Sequence, residues 1–389
     1  MRLTDPQQLR ELLGIPFSDQ QLAAIAAPLE PAVIIAGAGS GKTTVMAARV
    51  VWLVGSGQVR ADQVLGLTFT RKAAGELSAR VRRALTEAGV ADPDGAEELI
   101  LTYDAFAGRL VAEHGLLLGI EGGLRLITGA ARYRLAARAV ADAQGPLRHL
   151  SRLRPVTVTE RLVELAAEMR SHLVGPAALA SHAEVFAAAL DAAPRRSGTL
   201  EYKAVQDARA AEAERLELAQ LVLAYEQLKA EAGYVEFADQ MGLAARLATE
   251  VPSVPAALRR EFAVVLLDEY QDTSAAQASL LRGLFSGQEP EAGRGHPVTA
   301  VGDPCQAIYG WRGAAASNIL DFGRHFPRAD ATPAASYALT VNRRSGQRVL
   351  DAANELAAGV RSDPALAVHG LELDLVAPPQ TPPGRVEAS

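Results

Sequence analysis

At 389 residues the chain is too long for one ordinary core, and length alone predicts two or three domains. Its formal net charge of -6 excludes whole-molecule attraction to nucleic acid, so any such binding must come from a local basic channel. The single cysteine, Cys305, excludes a disulfide framework within the chain and fits a reducing cytoplasm; with no signal-peptide block and no run of ~18 apolar residues, a soluble intracellular protein is expected.

In chain order, the apolar run Ala32-Val33-Ile34-Ile35 predicts a buried strand, AGAGSGKTT at 36–44 a glycine-rich loop, TVMAARVVWLV a helix and VLGLTFT a second strand. That order is a parallel βαβ unit. Between about 111 and 260 the text turns Ala-, Arg-, Glu- and Leu-rich with helical period, predicting a helical insertion between strands of one sheet, jointed at AQGPLRHLSRLRP and DAAPRRSGT. AVVLLDEY at 263–270 and VTAVGD at 298–303 predict two more buried strands. Both end in acids, which places those acids at the carboxyl edge of the sheet, where open α/β folds bind ligands. EAGRGHP at 291–297 reads as a polar surface loop and APPQTPPG at 377–384 as an extended segment.

Two segments carry the chemistry. In the glycine-rich loop, Gly37, Gly39 and Gly41 let the backbone turn its N–H groups around an anion, with Ala38 and Ser40 between them and a helix N-terminus behind. Lys42 would reach the β- and γ-phosphates, Thr43 would ligate Mg²⁺, and Thr44 follows on the helix. The strict pattern asks for Gly where Ala36 stands, so a plain turn is the alternative. A dinucleotide fingerprint is excluded, because the sixth position counted from Gly37 is Lys42. In VVLLDEYQDTS, Asp268 would hold Mg²⁺ through its water shell and Glu269 would accept a proton from attacking water.

Taken in order, GAGSGKTT, TFTRKAAGELSARV, LLDEYQDTS and VGDPCQAIYGWRGA resemble the ATP-binding half of a superfamily 1A DNA helicase of the UvrD, Rep and PcrA type. MAARVVWLVG, FTRKAAGEL and GDPCQ are most similar to the AdnB motor of actinobacterial helicase-nucleases. The resemblance runs from about residue 17 to about 355. It implies an α/β fold, a P-loop NTPase (RecA-like) parallel sheet with a large helical insertion and the start of a second RecA-like domain. The expected boundaries are 1–110 with 261–335 for the first domain, 111–260 for the insertion and 336–389 for the second.

The same resemblance implies residue roles. Gln21 in FSDQQLAAI would read the adenine edge, although a polar residue opening a helix is the bland alternative. Thr68, Phe69 and Arg71 or Lys72 would lie near a DNA strand. Gln306 would touch the γ-phosphate, and Tyr309, Trp311 and Arg312 would meet the DNA. Arg344 in VNRRS would face the γ-phosphate from the second domain, while Arg343 stands where many relatives have a Tyr that stacks on adenine. Arg49 is a weaker candidate for the other side of that stack. Asp104, where the family commonly has His, receives no DNA role, because an acid repels phosphate. Cys305 reads as packing.

The implied activity is an ATP-dependent DNA helicase or translocase using ATP and Mg²⁺. It would move 3′ to 5′ on single-stranded or partly duplex DNA in repair or recombination, with a possible partner motor or nuclease subunit and no membrane. The second sheet barely starts before Ser389, so further motifs are expected beyond it, and the chain as given is expected to bind nucleotide but hydrolyse it poorly. The alternative is a catalytically impaired nucleotide- and DNA-binding module.

Overall fold

The computed structural model describes residues 2–89, 99–120, 123–145, 147–197, 200–310, 313–315, 317–361 and 373–387. Two compact units form, one from residues 1–109 and 245–389 and the other from residues 110–244.

The first unit is built on a six-stranded sheet: β1 Ala32–Ala36, β2 Val64–Thr68, β3 Leu99–Thr102, β4 Val264–Leu267, β5 Val298–Gly302 and β6 Ala335–Leu339. Every pairing is parallel, and the order across the sheet is β6-β1-β5-β4-β2-β3. β1, β2, β4 and β5 are buried along their whole lengths, which is why they read as continuous apolar runs rather than alternating ones. β3 and β6 do not stand out in the sequence; β6, ASYAL, is an edge strand, half-buried except for its last residue, Leu339, with Ser336 and Tyr337 interrupting its apolar run. β1, β5 and β4 are consecutive neighbours, so the loops leaving their carboxyl ends, at 37–41, 303–306 and 268–272, sit side by side.

Helices α1 Gln8–Leu13, α2 Asp19–Ile25, α3 Lys42–Gly55, α4 Arg71–Glu87 and α5 Tyr103–His114 follow in order. α3 is apolar nearly all round and fully buries Val45, Val51 and Leu53, each contributing roughly 1.5–3 kcal/mol by leaving water. A charge at Val51 would disrupt the core that seats the phosphate loop.

The second unit packs α6 Ala130–Ala141, α7 Pro155–Ser171, α8 Pro176–Asp191 and the long α9 Lys203–Glu231 around Leu162, Val222 and Tyr225. Pro155 and Pro176 open α7 and α8 at the first helical position, where a missing N–H costs nothing. The chain then passes through α10 Phe237–Glu250 into α11 Ser253–Glu261 and α12 Ala275–Phe285.

The insertion begins at residue 110, one residue from the expected 111, and the other two expected boundaries differ more. The insertion closes at residue 244 rather than 260, because Ala248 of α10 packs against α12: a Cβ on Gly283 would lie 2.9 Å from the Ala248 Cβ. β6 pairs with β1 from Ala335 to Leu339, so a boundary at 335 falls inside the first sheet, and the described residues after it group with the first unit. The 291–297 stretch is also less exposed than a polar surface loop, with Gly293 buried and the His296 ring stacked on Phe285 at 5.4 Å. Among the described residues, no single helix is long and apolar enough to cross a membrane.

Candidate nucleotide site

The loop after β1 has the shape its glycines predict. Gly39 and Gly41 take left-handed backbone angles, φ +69° and +87°, and Gly41 is the N-cap of α3, so the first N–H groups of that helix open toward the loop. Ala36 ends β1 outside the left-handed region, so an alanine there costs no strain. Gly37 is fixed by close approach instead: a Cβ on it would lie 2.2 Å from the Leu375 side chain. The Ser40 hydroxyl donates to the Gly37 carbonyl at 2.7 Å, and the Ala38 carbonyl accepts from the Asn342 side-chain amide. Thr43 and Thr44 are half-buried on the first turn of α3, with the Thr44 hydroxyl accepting from Arg80 at 3.0 Å.

Lys42 Nζ lies 3.0 Å from Glu269 Oε2 and donates to Gln306 Oε1 at 3.4 Å. Two segments, 227 and 264 residues downstream of Lys42, therefore converge on its ammonium group. Glu269 is a non-glycine residue held at φ +48°, a left-handed conformation costing about 1–2 kcal/mol that the surrounding contacts maintain. Gln271 donates to Glu269 at 2.9 Å and to Asp272, while its Oε1 accepts the Asp303 N–H; Asp303 in turn accepts from Gln306 Nε2 at 2.6 Å. The acids of the β4 and β5 loops are thus joined through two glutamines.

Asp268 is buried at the end of β4. Burial, and then the neighbouring Glu269 charge, push its carboxyl up to about 6, against an ordinary value near 4. Its Oδ2 is 3.4 Å from the Thr68 hydroxyl, and its Oδ1 is buried with no hydrogen-bond partner among the described residues. Burial likewise raises Asp272. A carboxylate that is buried, crowded by like charge and short of a donor suits a divalent cation, and Thr43, on the first turn of the helix behind the loop, offers a hydroxyl for the same ion.

Several expectations change. Arg49 does not face a base: it is 1% exposed, its guanidinium donating to the carbonyls of Ala24, Ile25, Ala27 and Pro28 and to the Thr299 hydroxyl. It satisfies the open C-terminal carbonyls of α2, and burial pulls its pKa down to about 10. Thr68 is fully buried with its hydroxyl turned to Asp268, so it presents no side chain to a DNA strand. Gln21 is buried as the closing residue of a capping box on α2, its Nε2 donating to the Ser40 carbonyl at 2.9 Å. Arg343 donates to the Pro16 carbonyl and, at 3.4 Å, to Gln21 Oε1. Arg344 is exposed beside the loop: a Cβ on Gly39 would lie 2.9 Å from the Arg344 Cβ.

On the outer side, Phe69 stacks on Tyr309 with ring centroids 4.9 Å apart, joining the loop after β2 to the one after β5. Arg71 and Lys72 are exposed on the first turn of α4, next to the Thr70 cap. Trp311 and Arg312 lie outside the described residues.

The residues that sequence reasoning missed are the connectors. Asn342 is 2% exposed; besides its bond to Ala38, its Oδ1 accepts the N–H groups of Arg344 and Ser345, fixing the turn that presents both arginines. The Tyr103 hydroxyl donates to the Asp268 carbonyl at 3.0 Å. Asp303 was visible as an acid ending a strand; Gln271 and Asn342 had no such signal.

Comparison with known proteins places this geometry. Residues 17–327 match the UvrD/REP helicase N-terminal domain. The ATP-dependent DNA helicase PcrA of Leuconostoc citreum is 29% identical over 345 residues, covering 88% of this chain and 39% of that protein. ATP-dependent DNA helicase UvrD2 of Mycobacterium tuberculosis is 31% identical over 352 residues, covering 89% and 44%. The chain therefore spans less than half the length of these curated relatives. With a matching model over most of its residues and the loop, acids and glutamine gathered at one sheet edge, the chain belongs to the UvrD/REP helicase family, by its N-terminal domain.

Proposed function

We propose that the chain is the nucleotide-hydrolysing part of an ATP-dependent motor that moves along or unwinds DNA, as the names of its relatives suggest for them. The observation that carries this reading is the meeting of Lys42, Glu269 and Gln306 at the mouth of the phosphate loop.

Backbone N–H groups of the loop and the α3 N-terminus would bind the phosphates, and Lys42 would leave Glu269 for phosphate oxygens, which compete for the same ammonium. Glu269, released, accepts a proton from the water that attacks the terminal phosphorus, and the bond to the bridging oxygen breaks. Gln306 senses the terminal phosphate and passes its loss through Asp303 to Gln271. Arg344 adds positive charge, and Arg343 borders the base. Thr43 and Asp268 would hold Mg²⁺, which when bound neutralises phosphate charge.

On the DNA side, the stacked Phe69 and Tyr309 with Arg71 and Lys72 offer an aromatic face flanked by cations, a combination suited to bases and phosphates of a single strand. Movement 3′ to 5′, a place in repair or recombination, an AdnB-like assembly with a motor or nuclease partner and a cytoplasmic location complete the proposal. The first three rest on the resemblance of the motifs, the last on the single cysteine.

Calorimetry with Mg-ATP on the wild-type chain and on Lys42→Ala tests it, followed by phosphate release with and without single-stranded DNA. Binding by the wild type and its loss in the variant are expected. A wild-type chain that ignores millimolar Mg-ATP overturns the proposal.

A further inference from the structure

The opposite rim of the sheet from the nucleotide loops holds a second concentration of charge. All six strands run parallel, so their amino ends share one edge, and there the chain leaving α12 meets the segments that lead into β5 and β6. A pocket of about 460 Å³ opens among them, within the ~300–1,000 Å³ of small-molecule sites. Arg282, Arg294, Arg324 and His325 line it, and among the described residues no acid does.

The walls of this pocket are tied to one another. Arg294 donates to the Ala329 carbonyl at 3.1 Å and to the Gln288 carbonyl at 2.7 Å, the Ser286 hydroxyl donates to the His325 carbonyl at 2.8 Å, and the Gly295 N–H donates to the Pro327 carbonyl at 3.2 Å. Two carboxylates approach from outside the lining: Asp321 pairs with Arg324, and the exposed Glu289 lies 3.6 Å from Arg294. Neither reaches Arg282, which is exposed and has no hydrogen bond or ion pair among the described residues. Nor is Arg282 spent on the carbonyl end of α12, where the Ser286 N–H meets its own carbonyl and Arg259 meets that of Leu284 at 2.7 Å. His325 keeps a buried Nδ1 with no hydrogen-bond partner among the described residues. Burial, and then the Arg282 charge, lower the His325 pKa, as expected where cations face one another with too little counter-charge.

We infer that this pocket is a second anion site, separate from the phosphate loop, in which Arg282, Arg294 and Arg324 take the oxygens of a phosphate group. Guanidinium forks match phosphate oxygens two at a time and are weakly hydrated, which suits them to this class of ligand. The Ser279 hydroxyl, also in the lining and without a hydrogen bond among the described residues, adds a neutral donor. A small phosphorylated molecule and the backbone of a nucleic acid present the same oxygens, and the concave shape admits either an end group or a single backbone phosphate.

The test keeps the two anion sites apart. Calorimetry with inorganic pyrophosphate, free of magnesium, is run on the full chain carrying Lys42→Ala, which disables the phosphate loop, and on that chain with Arg282→Ala or Arg324→Ala added. The Lys42→Ala chain should bind pyrophosphate, and each added substitution should weaken binding about tenfold. Arg282→Lys, which keeps the charge and loses the fork, should fall between. A Lys42→Ala chain that binds no pyrophosphate overturns the inference, and so does binding that neither arginine affects. Failure of the nucleotide reading leaves this site untouched, because the loop is already disabled in the titration. A short DNA duplex then names the source: displacement of pyrophosphate that depends on Arg282 identifies backbone phosphates, and retention of pyrophosphate identifies a small phosphorylated ligand, either of which upholds the site. Because Arg282 and Arg324 are exposed, their variants should melt with the Lys42→Ala chain.

Discussion

Two lysines in this molecule sit among carboxylates, one in each unit, and their surroundings differ in balance. Lys229 of α9, 3% exposed, has Glu226, Glu236 and Asp239 at 2.9, 3.3 and 2.7 Å, and Arg170 and Arg132 approach the same acids at 2.7 to 3.7 Å. Three cations meet three carboxylates. Burial alone would lower the Lys229 pKa, but its partners outweigh that and raise it. Buried carboxylate oxygens without a hydrogen bond occur in both clusters, but Glu226 Oε1 and Asp239 Oδ1 each have a cation, at 2.9 and 3.4 Å. Lys42 pairs with Glu269 alone, and among the described residues Asp268 Oδ1 and Asp272 Oδ1 have neither a hydrogen bond nor an ion pair. The balanced cluster ties α9 to the start of α10. The unbalanced one is what a site looks like when its charge is meant for something that arrives from solution.

Breaking the two clusters should therefore have different effects. The largest is expected from Lys42→Ala, which should reduce phosphate release by at least about 100-fold while shifting the melting temperature little. Lys229→Met leaves three acids without their central cation and should lower unfolding free energy by about 3–5 kcal/mol in urea titrations. An undiminished stability there would mean the cluster is decorative.

The comparison is sharpest with one substitution made in both places. Asp268→Asn removes a carboxylate whose folded pKa, about 6, lies above its unfolded value. Such a group destabilises the fold as pH rises through that window, so the variant should be more stable than wild type at pH 7.5, by roughly 1–3 kcal/mol, and inactive. Asp239→Asn, whose carboxylate accepts from Lys229 and from the Glu236 N–H, should be less stable by a similar amount. Melting curves of the two variants moving the same way would erase the distinction.

An effect of similar size concerns a half-buried group with no acid as its main partner. His296 lies against Phe285, and burial, with Arg259 second, lowers its pKa from 6.5 to about 4. The unfolded chain therefore takes up this proton first as pH falls. Stability should be flat above pH 6.5 and decline from there toward 4, by about 1–3 kcal/mol, and His296→Phe should flatten the decline. Denaturation at several pH values measures the slope.

The phosphate loop, the Asp268-Glu269 pair and the buried strands were legible because each is a local pattern: a glycine spacing, two acids after an apolar run, five apolar residues between turns. What stayed hidden depends on partners far along the chain. Asn342 meets Ala38 across 304 positions and Arg49 meets Thr299 across 250, and no local pattern encodes either contact. Arg49 nonetheless left a trace. It stands in KTTVMAARVVWLVG, a helix apolar on every side, and a lone arginine there can only be buried and fully bonded. Thr68 was misassigned for the converse reason, since a hydroxyl at a strand end can point to either side of the chain's last turn into the loop.

Arg49 has one more implication. By gripping four carbonyls at residues 24, 25, 27 and 28 from the middle of α3, and Thr299 of β5 as well, it rivets α2, α3 and a central strand into one block. Gln21 and Lys42 ride on that block, so their spacing is set like the jaws of a fixed-gauge tool, and whatever motion accompanies turnover has to be borne by other parts of the chain.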